Sequence, residues 1–200
     1  MLKRMMDYFD SQAELREKAL EASRATIRAS ARSIAAAHRG DKKEADAFLA
    51  EAKDGLDALA KVAEADPEMA VSGYVASAQQ EYGEARLVKS LLADGKLLEP
   101  EELGISYRAY LAALADAAGE LRRNILDKIR ANEIDQAEAI LKLMEGIFEI
   151  LMEFDYADAV LPGMKRRQDM VRQLLERTRG DLTVALRQQR LERALERRGG

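Results

Sequence analysis

The chain has 200 residues, 48% hydrophobic and 34% charged, enough to bury a sizeable core and consistent with one domain over residues 1–200. It lacks Cys, which excludes disulfides, thiolate zinc sites, iron–sulfur clusters and cysteine nucleophiles; an acid as early as Asp7, and no run of about 20 apolar residues, argue against a secretory signal or membrane span. A cytoplasmic protein is expected. The net charge of −4 is uneven: residues 1–40 carry eight Lys or Arg against five Asp or Glu, and residues 165–200 carry eleven against five, which leaves an acidic middle.

With three Pro, no Trp, 5% aromatic residues and abundant Ala, Leu, Glu and Arg, the expected fold class is all-α, a bundle of seven helices. Ser11-Gln12-Ala13-Glu14 has the capping-box pattern and opens helix one, which runs unbroken to Gly40. Asp41 caps helix two, which ends near Ala65, and Asp66-Pro67 then supplies an N-cap and an N1 proline for helix three. Gly95 ends helix three, residues 100–104 form a helical turn, and Ser106 caps helix four, which extends to about Ala131. Asp135-Gln136-Ala137-Glu138 opens an apolar helix five through Leu141, Met144, Ile147, Phe148 and Leu151. Helix six starts at Pro162-Gly163, and Arg179-Gly180-Asp181 pairs a C-cap glycine with an N-cap aspartate to divide it from helix seven.

Two acidic pairs lie on these helices. Glu81 and Glu84 are three residues apart on helix three, and Asp116 and Glu120 are four apart on helix four, so each pair projects from one side of its helix. Two packed helices could bring such pairs together around a hard divalent cation, although spacings of this kind also occur on ordinary solvated faces. A ferritin-like di-iron centre is excluded, because it needs two Glu-x-x-His helices and His38 is the single histidine.

The same segments carry a family resemblance. Glu81-Tyr82-Gly83-Glu84-Ala85 resembles the E-Y-V-E-A segment of the translin and translin-associated factor X family. Tyr110-Leu111, followed by Asp116-Ala117-Ala118-Gly119-Glu120-Leu121-Arg122, resembles its Y-L…D-L-T-G-E-L-x-R segment. Ser23-Arg24 with His38-Arg39 is similar to the S-R…H-R first helix, and Arg179-Gly180-Asp181-Leu182 to the late R-G turn, so the likeness spans roughly residues 11–185 in matching order. Gly83 stands where a bulkier residue is usual, and Ala117-Ala118 where Leu-Thr is.

The resemblance implies a translin-like seven-helix bundle that assembles with itself, as a hexamer to octamer, into a hollow shell around RNA or single-stranded DNA. Because all four acids are retained, it further implies the catalytic, factor X-like branch: a magnesium-dependent endoribonuclease, with manganese as a possible substitute, in which Glu81, Glu84, Asp116 and Glu120 hold the metal and carry catalysis. A non-catalytic nucleic-acid-binding shell is the alternative, and a plain helical scaffold is what the charge pattern and bundle would suggest alone. For substrate, Arg24, Arg28 and Arg32 repeat every four residues and form one cationic stripe that suits phosphates, unless acids such as Glu17 or Glu21 satisfy it. Lys89 and the Lys165–Arg167 cluster are lesser candidates. Gly119 would permit a close approach by a neighbouring helix or by substrate backbone. His38 and Tyr82 are expected to pack rather than react.

Overall fold

The structure, a computed structural model, describes residues 1–66 and 72–199. Among these there are seven helices and no strand: α1 (Leu2–His38), α2 (Lys42–Ala65), α3 (Gly73–Asp94), a single-turn α4 (Pro100–Leu103), α5 (Tyr107–Arg130), α6 (Ile134–Met152) and α7 (Met164–Gly199). None of the helices described is long and apolar enough to cross a membrane. The chain divides into two compact units, residues 1–90 with 97–113, and residues 91–96 with 114–200.

Local chemistry sets most of the boundaries. At the end of α1, Gly40 has φ +76°, and Asp41 caps α2 by accepting a 2.9 Å hydrogen bond from the Glu44 amide. Gly95 and Gly104, also at positive φ, close α3 and α4, and the Ser106 hydroxyl accepts from the Ala109 amide at the start of α5. The expected proline start of helix three falls on Pro67, outside the described residues; Asp66 is extended and follows α2.

Three expected boundaries are corrected. Helix α1 starts at Leu2 rather than at the Ser11 capping box, because residues 2–11 contain neither Gly nor Pro and nothing stops the helix from growing backwards. Helix α6 starts after Glu133, behind Asn132 at φ 59°, so Asp135 lies inside the first turn. The Arg179-Gly180-Asp181 break does not occur, and α7 is continuous. The buried stripe Val171, Leu175, Thr178, Leu182 and Ala185 runs through Gly180 without losing register, and burying that row outweighs about 1 kcal/mol of glycine penalty.

In the first unit, α1 lays small buried residues, including Ala19, Ser23, Thr26, Ser30 and Ser33, along α2. The closest approach is at Gly55, where any Cβ would collide with the Thr26 hydroxyl. The Ser23 hydroxyl donates to the Tyr74 carbonyl and the Ser33 hydroxyl to the Ala45 carbonyl, both at 3.0 Å, so these polar groups are satisfied inside the core. In the second unit α6 and α7 pack together, with Gln168 donating to the Leu151 and Phe154 carbonyls at 2.8 and 3.1 Å. Ile134, Ala137, Met144, Ile147 and Leu151 form the buried face of α6, while Leu141 and Phe148 are only half-buried. Met144 and Met164 are core residues, whereas Met152 and Met170 are exposed.

Candidate functional site

Helix α3 is half-buried at Glu81 and Glu84 and fully packed between and beside them at Tyr82, Gly83 and Ala85. Both carboxylates therefore emerge from the rim of a helix whose other face is fixed in the first unit. Gly83 is a packing residue: an added Cβ would lie 2.7 Å from Ile105 Cδ1 and 3.0 Å from Ala113 Cβ. A bulkier residue at this position would meet Ile105 and Ala113. Tyr82 is buried and its hydroxyl accepts a 2.9 Å hydrogen bond from Arg86, as expected of a packing rather than a base-stacking residue.

Helix α5 repeats the arrangement in the second unit. Asp116 and Glu120 are half-buried, among fully buried Ala115, Ala117, Ala118 and Leu121. Glu120 receives Arg123 at 3.5 Å, an i,i+3 surface pair worth a few tenths of a kcal/mol. Gly119 has nothing within 4 Å of an added Cβ, so no neighbouring helix makes use of the close approach expected there. One turn on, Arg122 is a fixed strut: it donates to the Thr178 hydroxyl at 2.8 Å and to Asp181 at 2.9 Å. Asp181 thus serves as a helix–helix tie, not as the N-cap the sequence suggested.

Glu81, Glu84, Asp116 and Glu120 each have a polar or electrostatic partner, and they divide two and two between the units. Their donor chemistry, all carboxylate oxygen, is that of a magnesium or manganese site. Among the described residues no group of three or more His, Asp or Glu side chains that could hold a metal ion is found.

The cationic stripe on α1 resolves into two parts. Arg24 and Arg28 are exposed on the same face; of the acids expected to compete, Glu17 is engaged with Arg16 at 2.8 Å and Glu21 is exposed. Arg32 is also exposed, but its guanidinium lies 3.9 Å from the ring centroid of Phe48 and 3.8 Å from Glu51, both on α2. That stacking partner was not inferred from the sequence, although Phe48 is one of only four Phe in the chain. Lys89 is ion-paired with Asp46 across α2 and α3 and is not held ready for a phosphate. Lys165 and Arg166 are exposed, Arg167 is half-buried, and half-buried His38 closes the last turn of α1.

Beside the acidic turn at α4, Tyr110 is buried and donates to the Leu98 carbonyl at 2.9 Å. Burial, with the negative charges of Glu99, Glu101 and Glu102, pushes its phenol up to about 12.

The described residues form an all-helical protein with paired half-buried acids on two helices and an exposed arginine pair on its first helix, on the segments that carry its resemblance to the translin family. The comparisons agree. The chain is 31% identical, over 198 residues, to an uncharacterized protein of Methanocaldococcus jannaschii, covering 96% of this chain and 86% of that protein. It superposes on AfC3PO solved as a duplex RNA complex with a TM-score of 0.81 and 31% identity, over 92% of this chain and 95% of that one. AfC3PO solved in a separate crystal structure gives 0.83 over 92% and 96%, at the same identity. The apo form of NeC3PO, at 22% identity, shares the fold, with a TM-score of 0.79 over 92% of this chain and 98% of that one. No protein-family model matches the chain. C3PO being a complex of the translin and factor X type, this chain belongs to the translin family.

Proposed function

We propose that this protein binds RNA as a subunit of a translin-like homo-oligomer and cleaves it as a metal-dependent endoribonuclease. The observation that carries the RNA reading is the 31% identity, over nearly the whole chain, to AfC3PO, which was solved with duplex RNA. Arg24 and Arg28, exposed four residues apart on α1, supply the matching phosphate contacts.

The cleavage reading rests on the retention of Glu81, Glu84, Asp116 and Glu120 in a chain of this family. These are the residues that would hold magnesium, or manganese in its place; a bound ion of this kind neutralises phosphate charge and lowers the pKa of water. The proposal extends to single-stranded DNA as a second ligand and to six to eight copies in one closed assembly. A non-catalytic RNA-binding shell is the second reading, since the likeness to a protein solved with duplex RNA speaks to binding and not to cleavage.

Labelled RNA incubated with magnesium, manganese or chelator, with wild type and Glu84→Gln, separates the two. Metal-dependent cleavage lost in the variant while RNA affinity is kept supports the nuclease. Binding without cleavage in any metal, by both proteins, supports the shell and removes the catalytic assignment of all four acids.

A further inference from the structure

The end of α7 presents four cations on one side. Arg187, Arg190, Arg193 and Arg197 are all exposed. With about 100° between successive residues of an α-helix, they fall within one arc of about 120°, whereas Glu192 and Glu196 lie on the far side of the helix. The orientation is fixed from the buried side: Leu182 and Ala185 are buried, Leu186 and Gln189 are half-buried, and Gln189 donates to the Asn132 side-chain oxygen at 3.3 Å, while residues 190–197 are exposed throughout. Earlier in α7 the arginines have acids of their own, Arg172 meeting Asp169 at 3.4 Å and Arg179 meeting Glu145 at 2.7 Å. Among the described residues no acidic partner is found for any of the four at the end. The helix dipole accounts for a cation in the last turn, where Arg197 stands, but does not reach Arg187, Arg190 or Arg193. Like charges spaced three, three and four apart weaken a helix unless an anion lies across them.

The chemistry of this face selects a polyanion. Its charged groups are all guanidinium, which stays cationic at any working pH and offers phosphate oxygens two parallel N–H donors. The exposed apolar residues of the same segment, Val184, Leu191 and Leu195, lie outside the arc. The face therefore lacks the apolar centre of a protein–protein contact and has the polar, positive character of a nucleic-acid contact. From Arg187 to Arg197 the helix rises about 15 Å, and one strand of a duplex carries a phosphate every 3.4 Å or so of its axis, so the stripe spans about four phosphates. We propose that Arg187, Arg190, Arg193 and Arg197 form a second phosphate-binding surface for RNA, carried by the second unit and additional to Arg24 and Arg28 in the first. This surface rests on the RNA-binding part of the proposed function and needs neither catalysis nor the acids.

The test compares full-length wild type with Arg190→Gln/Arg193→Gln and Arg190→Lys/Arg193→Lys, using circular dichroism and melting temperature to confirm folding and light scattering after gel filtration to give the mass. Affinity for a labelled duplex RNA is measured in chelator at several salt concentrations. Losing two phosphate contacts lowers the slope of log affinity against log salt by roughly 1.4 to 1.8, so between about 50 and 200 mM salt the wild type should lose roughly tenfold more affinity than the Gln variant. The Lys variant keeps both charges and should keep the wild-type slope. An unchanged slope in the Gln variant overturns the inference while leaving the RNA reading intact, whereas a wild type that binds no RNA overturns both. A Gln variant of smaller mass than wild type shows the stripe facing a second copy of the chain instead of RNA, and overturns the inference as well.

Discussion

Removing Arg24 and Arg28 together should change how RNA binding responds to salt more than it changes the protein. Each phosphate neutralised by an arginine contributes about 0.7 to 0.9 to the slope of log affinity against log salt, so losing two contacts lowers that slope by roughly 1.4 to 1.8. Between about 50 and 200 mM salt, the wild type should then lose roughly tenfold more affinity than Arg24→Ala/Arg28→Ala. Arg32→Ala is the internal control. Its guanidinium already stacks on Phe48 and lies near Glu51, so its removal should leave the slope unchanged and instead lower stability by about 0.5 to 1 kcal/mol, the worth of an exposed cation–π contact with a weak ion pair. Fluorescence anisotropy of a labelled RNA in chelator, titrated at four or five salt concentrations for wild type and the two variants, measures all of this without cleavage. An unchanged slope in the double variant, with melting temperature preserved, would show that the α1 stripe does not face phosphate. A slope lowered by Arg32→Ala alone would show that the division of the stripe into two parts is wrong.

Two glycines should respond to alanine in opposite ways. Gly180→Ala, in a continuous α7 with nothing within 4 Å of the new methyl, should stabilise the protein by about 0.5 to 1 kcal/mol in a urea titration; a loss of stability would mean that the helix does break there. Gly83→Ala places a methyl against Ile105 and Ala113 and should lower stability by about 1 kcal/mol after the gain in helix propensity, with Ile105→Val restoring part of it. Tyr110 gives a pH test: its folded pKa of about 12 exceeds the ordinary 10.0, so its neutral form contributes stability that is complete below pH 10 and is lost as the pH rises through about 12. Tyr107 is raised too, by its hydrogen bond to Glu101, so absorbance titration of Tyr110→Phe against wild type should show the loss of a late phenol, and an unchanged high-pH phase would refute the assignment.

The helical layout was legible because it rests on short-range chemistry: Asp41 capping Glu44, Ser106 capping Ala109, and Gly40, Gly95 and Gly104 taking positive φ all depend on neighbours a few residues away. The errors arose where a local signal competed with a longer-range one. Ser11 and Gly180 both carry plausible boundary patterns, but the absence of any breaker ahead of Ser11 and the apolar row crossing Gly180 decided those positions. The acidic pairs were visible for the same reason as the helices, since spacings of three and four fix the side of a helix. Contacts between segments were not: the stacking of Arg32 on Phe48, the filling of the Gly83 gap by Ile105 and the hold of Asp181 on Arg122 all join residues 16 to 59 positions apart. Spacing along one helix says nothing about such partners.

Glu81 and Glu84 lie in one unit of the chain, and Asp116 and Glu120 in the other. A carboxylate pair on one helix supplies at most two side chains, whereas a catalytic ion needs a set whose geometry is held before the substrate arrives. Here the flanks of each pair are fixed, by Gly83 against Ile105 on α3 and by the Arg122 tie to Thr178 and Asp181 beside α5. The backbone at each pair is therefore already positioned, and the remaining freedom lies in the half-buried carboxylate side chains, each of which has a partner of its own. If phosphate oxygens of the bound RNA complete the coordination of an ion held by these acids, magnesium should bind more tightly when RNA is present, and a calorimetric titration with and without a non-cleavable RNA would measure the coupling directly. Equal magnesium affinity in the two titrations would mean that the acids act independently of the nucleic acid, and the catalytic reading would lose its physical basis.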